Sequence, residues 1–506
     1  MKRGEIVTGK VERTDYPSKG IVRVDSDNTL SVKNVLPGQT VSVRVKKVRG
    51  GKGEGSLIEV IKPADNEITP PCESFGICGG CAYMNLSYED QLKLKEGQVL
   101  KLIKSVRGLE DIDDGRWQGI KGSPAHLGYR NKMEYTFGDE YKDGPLSLGL
   151  HKRGSFYDVV SAGGCKICDE DYGLIVNETL DFFKEKGISY YHRLRHEGYL
   201  RHLMVRKAFH TDEIMVAIVT TTQLDFDMEQ YKDMLLGLSD KLKGKIVSVI
   251  HTLNDSLADI VQSDKSIVLY GKDYITEKML GMEFRISEFS FFQTNTRGAE
   301  LLYETARDYI GDIGKGEAVV YDLYSGTGTI AQMMAPVAKK VYGVEIVKEA
   351  VEAAKENAKL NGLDNCEFIA GDVLKVLEEA TAGGADSSAC GTAGLEAVGI
   401  SEAPDFIILD PPRDGIHPKA LRKIIDYGVE RLIYISCKPT SLARDLETFL
   451  AHGYDVVKAV AIEQFPNTSH IEVCCLLERL RSTKEHIEIT IDAEDYYRIK
   501  DAQKGV

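Results

Sequence analysis

Apolar and polar positions alternate through the first 62 residues, as in Val41-Ser42-Val43-Arg44-Val45-Lys46-Lys47-Val48, with Gly and Pro at the turns. A period of two broken in this way predicts a small antiparallel β-barrel over 1–62. Three prolines within 63–71 mark a linker. From about 125 to 280 strand-like runs such as Ile214–Val219 and Ile246–Ile250 lie between helical stretches, which predicts a mixed α+β central domain, placed at 72–285. Beyond 290 the elements alternate strictly: Val319–Leu323, Val341–Glu345, Cys366–Ala370, Phe406–Leu409, Leu432–Ile435 and Val456–Ala461, with helical patterns such as Lys348–Asn361 between them. Strand and helix in turn predict an α/β domain over 290–480 built on a doubly wound parallel sheet. Residues 381–402, rich in Ala, Gly and Ser, read as a surface insertion between two sheet strands, and 481–506 as a charged tail.

Composition changes this picture in three respects. At 506 residues the chain exceeds what one core supports and should divide into about three domains. No stretch approaches the roughly 18 uncharged apolar residues of a membrane span, and no apolar signal core follows Met1, so a cytoplasmic, monomeric protein without membrane contact is expected. Net charge is −14, yet residues 1–62 carry 13 Lys/Arg against 7 Asp/Glu, net +6. A basic module on an acidic enzyme fits an RNA-handling protein.

The glycine-rich turn Tyr324-Ser325-Gly326-Thr327-Gly328-Thr329-Ile330-Ala331 follows a strand and opens a helix, and Glu345 ends the next strand, where an acid can hold ribose hydroxyls. NAD and S-adenosylmethionine (SAM) sites share these features. Asp410-Pro411-Pro412-Arg413 breaks the tie: a rigid Asp-Pro-Pro turn at a strand's carboxyl end points its acid into the crevice where ligands collect, and amine-methylating enzymes use a similar turn. Enzymes that methylate amines follow such a turn with an aromatic residue; Arg413 stands here, which points to a ring carbon. Carbon 5 of a pyrimidine accepts a methyl group only after a thiolate adds to carbon 6, and the carbon-5 proton must then be removed. Cys437 in Tyr434-Ile435-Ser436-Cys437-Lys438-Pro439 is the candidate nucleophile and Glu472 the candidate base. Lys438 and a new helix start beside Cys437 predict a depressed thiol pKa.

Ten cysteines in such a chain suggest metal or catalytic chemistry rather than disulfides. Cys72, Cys78 and Cys81 have ligand-like density and lack one ligand, which Cys165 or Cys168 can supply. Sequence alone leaves zinc and iron–sulfur open. Basic residues in Tyr129-Arg130-Asn131-Lys132 and at Arg201 and Arg206 are candidates for gripping RNA phosphate.

Asp410-Pro411-Pro412-Arg413-Asp414-Gly415, Tyr434-Ile435-Ser436-Cys437 and Phe465-Pro466-Asn467-Thr468-Ser469-His470-Ile471-Glu472 together resemble the two signatures of the RNA uracil-carbon-5 methyltransferase family, and residues 1–62 resemble a TRAM domain. The resemblance covers nearly the whole chain. It implies a Rossmann-like SAM domain in which Cys437 is nucleophile and Glu472 base, with SAM held by Gln293, Tyr324, the Gly326/Gly328 loop, Glu345 and Asp410. It further implies a four-iron four-sulfur (4Fe-4S) cluster on Cys72, Cys78, Cys81 and Cys165, and a uridine in 23S rRNA, with the tRNA T loop as the alternative. The chain departs from the family pattern at Lys438 (usually Asn), Ser441 (Thr), Glu463 (Asp) and Asn467 (Gln, His or Tyr). A non-catalytic RNA-binding scaffold with a metal knot is the rival of another class, in which Cys437 and Glu472 are dispensable.

Overall fold

A computed structural model describes residues 1–257, 264–311, 316–381, 400 and 402–480. The insertion expected over 381–402 lies largely outside the described residues, and the tail 481–506 wholly so. Strands Ile6–Asp15, Lys19–Arg23, Thr29–Lys33, Thr40–Arg49 and Lys52–Lys62 close into a barrel. Alternate side chains, among them Val11, Val22, Val41, Val43 and Val45, fill its core, as a period-two pattern requires. The basic run Lys46–Lys52 forms the tip of the hairpin between the last two strands.

The central region is a seven-stranded sheet in the order Lys265–Gly271, Lys245–Leu253, Glu213–Thr220, Leu200–Lys207, Lys132–Asp139, Leu146–His151, Val159–Ser161. Helices Glu170–Glu185 and Glu229–Leu236 pack on it.

The C-terminal sheet has eight strands in the order Cys366–Ala370, Lys340–Glu345, Val319–Leu323, Phe406–Leu409, Arg431–Ser436, Glu472–Arg479, Tyr454–Ile462, Trp117–Lys121. The first five are mutually parallel. Phe406-Ile407-Ile408-Leu409 is at most 1% exposed, the continuous apolar run of a strand covered on both faces. Strand order reverses between Val319–Leu323 and Phe406–Leu409, which opens a crevice at their carboxyl ends. The sheet departs from the purely parallel expectation at Glu472–Arg479, which inserts antiparallel between Arg431–Ser436 and Tyr454–Ile462. Glu472 therefore opens its strand, and antiparallel direction puts that opening residue at the edge where Asp410 and Cys437 end theirs. Trp117–Lys121, expected within the central domain, is instead the edge strand of this sheet.

Helix Tyr88–Lys104 joins the parts. Its Gln98 Nε2 donates to Thr14 O of the barrel at 2.9 Å, Lys101 pairs with Asp15 at 2.5 Å, and Lys95 reaches Glu463, just beyond strand Tyr454–Ile462 of the C-terminal sheet.

Candidate active site

Strand Val319–Leu323 runs into the glycine loop through Tyr324, whose φ of 71° turns the chain so that the N–H groups of Tyr324 and Ser325 both donate to Val344 O at 3.0 Å. Gly328, at φ 73°, admits no larger residue, because a Cβ would stand 2.5 Å from the Phe368 ring. Gly326, at φ 54°, faces open space, the close backbone approach that a nucleotide-like ligand needs. Both oxygens of Glu345 accept backbone N–H bonds, from Gly326 at 3.0 Å and Val347 at 2.9 Å. Asp322, fully buried, accepts from the Ala331 N–H through Oδ2, while its Oδ1 has no partner.

Three buried carboxyl groups lie near this crevice, and the Asp410 charge acts on both Asp322 and Glu472. Burial lifts Asp410 to about 7. Burial and then the Asp410 charge lift Asp322 to about 8 and push Glu472 well above the usual carboxylate range. Three such groups cannot all be ionised at neutral pH, so the cluster holds protons there. Cys437 stands at the same edge, its thiol raised to about 11 by burial, Glu472 and Asp410 against the opposing pull of Arg413. This reverses the depressed thiol expected from Lys438 and the helix start: Lys438 is drawn off to Asp414 at 3.1 Å, and desolvation with two neighbouring acids wins.

The Phe292-Gln293-Thr294-Asn295 run owes its geometry to Asn295, which caps helix Thr296–Ile310 by accepting from the Gly298 N–H and donates to Gln464 O at 2.9 Å. Gln293 is thereby buried at the crevice, beside Tyr303. Tyr303 is missed by sequence reasoning, as is Asp322: the phenol of Tyr303 feels Asp410, Asp322 and Glu472, yet it lies in mid-helix with nothing in its local pattern to mark it.

Two loops fix the segments around Asp410, Cys437 and Glu472. In the first, Asp445 accepts from the Ile416 N–H at 2.9 Å and the Tyr434 hydroxyl at 2.7 Å, and Ser441 Oγ donates to Arg413 O at 3.1 Å, tying the Asp-Pro-Pro turn to helix Pro439–Ala451. In the second, residues 463–472 hang on Lys95, whose ammonium donates to Glu463 Oε2 at 2.5 Å, Phe465 O at 3.2 Å and His470 O at 3.0 Å. Asn467, at φ 67°, accepts N–H bonds from Ala82 and Tyr83 on its carbonyl and exchanges bonds with Gln91. Both members of the Lys95–Glu463 pair are at most 1% exposed. Replacing Lys95 by Met strands a buried carboxylate and frees two carbonyls, so a loss of about 3–5 kcal/mol in unfolding free energy is expected by urea titration; an unchanged midpoint would contradict this anchoring role.

Cys72, Cys78, Cys81 and Cys165 wall one cavity together with Phe75, Met84 and Leu150. Cys168 is outside that wall, buried behind Cys165 with its thiol donating to Cys165 Sγ at 3.7 Å. Among the described residues no group of three or more His, Cys, Asp or Glu is closed into a metal-ligating constellation. The soft donors and apolar walls nevertheless suit a thiolate-ligated centre.

Arg130, Lys132 and Arg206 line a groove with Phe291 and Phe292, and Phe291 is 65% exposed. Arg206 forms its buried depth, donating to Ser290 O at 2.9 Å, with burial lowering it to about 10. Arg201 leaves the candidate set: every residue of Leu200–Lys207 is buried, and the Arg201 guanidinium is committed to Asn254 O, Asn254 Oδ1 and Ser256 O and lies over the Tyr191 ring.

The family model described as tRNA (Uracil-5-)-methyltransferase matches residues 188–480, and that of the TRAM domain matches residues 1–58. An uncharacterized RNA methyltransferase of Caldanaerobacter subterraneus subsp. tengcongensis is 47% identical over 479 residues, covering 95% of this chain and 100% of the relative. One from Clostridium tetani is 43% identical over 479 residues, covering 95% and 99%. The fold is similar to that of Pyrococcus abyssi tRNA (uracil-54, C5)-methyltransferase in complex with S-adenosyl-L-homocysteine, with a TM-score of 0.69 and 23% identity over 93% of this chain and 100% of that one.

Proposed function

Because this chain belongs to the tRNA (uracil-5-)-methyltransferase family, we propose that it methylates carbon 5 of a uridine in structured RNA, with SAM as methyl donor, Cys437 as nucleophile and Glu472 as base. The observation that carries this reading is the meeting of a thiol with Glu472 and Asp410 at the edge that also bears the glycine loop. The Cys437 thiolate adds to carbon 6, and the charge passes to the carbon-4 oxygen as an enolate. Carbon 5 then takes the methyl group, Glu472 removes the carbon-5 proton, and the thiolate leaves as the double bond re-forms. SAM would supply the electrophilic methyl, with S-adenosylhomocysteine as the leaving group, and a sulfonium charge that favours ionisation of the neighbouring acids. Gln293, Tyr324, Gly326, Gly328, Glu345 and Asp410 are the residues to hold it, with Asp322 and Tyr303 behind them.

RNA enters with its target base flipped out, the backbone held by the basic barrel and by Arg130 and Lys132 in the groove beside Phe291. We place the uridine in 23S rRNA, on the domain composition of barrel plus four-thiol cavity. A tRNA uridine is the second reading, favoured by the description of the matching family model. Incubating the protein and SAM with 5-methyluridine-free total RNA and mapping the product by nuclease digestion and mass spectrometry tests both: 5-methyluridine in neither RNA overturns the function.

A 4Fe-4S cluster on Cys72, Cys78, Cys81 and Cys165 fits the cavity's donor set. Bound there it would cross-link segment 72–81 to Cys165 and, through the Ala82 and Tyr83 bonds to Asn467 O, stiffen the loop that leads to Glu472. Anaerobically purified protein is expected to be brown, with about four irons per chain. A colourless protein holding one zinc would overturn the cluster and leave the methyltransferase intact.

A further inference from the structure

Tyr16 follows the first strand of the N-terminal barrel, yet its side chain does not belong to the barrel's core. It packs into the apolar cluster beneath the C-terminal sheet, which includes Ile416 of the Asp-Pro-Pro loop and Ile471, the residue before Glu472. Only 9% of Tyr16 is exposed, and its hydroxyl is buried with no hydrogen-bond partner. A buried O–H left unpaired is costly, and such a group in a folded protein asks for a missing acceptor.

The setting of that hydroxyl says what the acceptor is. Arg413, Cys437 and Glu472 are the charged or ionisable groups of the catalytic edge that act on the Tyr16 phenol, and Tyr83 acts on it from the segment bonded to Asn467. Burial holds the phenol up at about 12, so it stays protonated through the working pH range and is available as a donor. Its approach is rigid. On one side Thr14 Oγ1 donates to Val35 O at 2.9 Å and Gln98 Nε2 to Thr14 O; on the other, the Asn34 N–H donates to Ser18 O at 3.0 Å. Between these anchors the Tyr16 hydroxyl is held without a partner, within electrostatic reach of Arg413, Cys437 and Glu472.

We propose that the Tyr16 hydroxyl donates a hydrogen bond to the carbon-4 oxygen of the flipped uracil, where charge collects once Cys437 adds to carbon 6. The N-terminal barrel then completes the catalytic centre in addition to gripping RNA. The inference rests on the assignment of Cys437 as nucleophile. Uracil supplies the acceptor that the ligand-free site lacks, and a donor aimed at a developing enolate is worth more in the transition state than in the ground state.

The test is Tyr16→Phe in the full-length protein, which keeps the ring in the core and removes only the hydroxyl. Two rates are measured on RNA carrying the target uridine: single-turnover methylation with SAM, and exchange of the carbon-5 hydrogen with solvent without SAM, which passes through the same enolate, with protonation and deprotonation of carbon 5 in place of methyl transfer. Both are expected to fall by about 10²-fold, the scale for loss of one oxyanion donor, while SAM affinity and RNA affinity stay at wild-type values and the thermal midpoint holds or rises, since the unpaired buried hydroxyl is removed. Wild-type rates in Tyr16→Phe, or a fall matched by weaker RNA binding or a lower midpoint, would overturn the proposal and leave Cys437 in place. A wild-type enzyme that neither exchanges nor methylates would overturn the Cys437 assignment with it.

Discussion

Cys437→Ala is expected to lower single-turnover 5-methyluridine formation by at least about 10⁴-fold, the scale on which loss of a covalent nucleophile acts, and to form no denaturant-resistant complex with RNA. The reason is electronic: without a thiolate on carbon 6 no enolate forms, and carbon 5 is too weak a nucleophile to take the methyl group from a sulfonium unaided. Because burial, Glu472 and Asp410 raise the thiol to about 11, the reactive thiolate is scarce at neutral pH. The rate of covalent addition should therefore rise with pH, roughly tenfold per unit below the thiol pKa, since only the ionised form attacks. A pH profile that is flat from 6 to 9 in the wild type would mean that substrate binding alone ionises the thiol. Activity that survives in Cys437→Ala would exclude the covalent route.

Glu472→Gln is expected to behave differently, because its step comes last. The amide keeps the size and burial of the side chain, so addition and methyl transfer proceed. It cannot remove the carbon-5 proton, so the thiolate cannot leave and the covalent intermediate accumulates. Turnover should fall to a small fraction of wild type, while a protein–RNA band resistant to denaturant appears with SAM present and is absent from Cys437→Ala. Normal turnover in Glu472→Gln would assign the base elsewhere, and Asp410, whose charge acts on both Cys437 and Glu472, is the first group to examine.

The parts of this site legible in the sequence are those written in short local patterns. Phe406–Leu409 and Leu432–Ile435 are uninterrupted apolar runs, so the residues that follow them, Asp410 and Cys437, could be placed at strand ends without a structure. The glycine loop was legible because φ > 0 leaves a glycine signature. Direction was not: Glu472 opens an antiparallel strand, and alternation of apolar residues reads the same both ways. Nor was burial. The sign of the Cys437 shift depends on desolvation by elements far apart in sequence, which outweighs the helix terminus that local reading sees. Arg201 and Arg206 look like surface cations until Leu200–Lys207 is covered on both faces. Lys95, Tyr16 and Tyr303 each lie near residues more than a hundred positions away in the chain, at places where each reads as an ordinary helix or barrel residue.

The central claim is that Cys437 carries the uracil while carbon 5 is methylated. The direct measurement is peptide mapping by mass spectrometry of the complex trapped by Glu472→Gln with SAM and target RNA after nuclease and protease digestion. The account predicts one modified peptide, containing Cys437, with a methylated uridine nucleotide attached through sulfur. A nucleotide on any other residue, or an unmethylated one that persists with SAM bound, would contradict it.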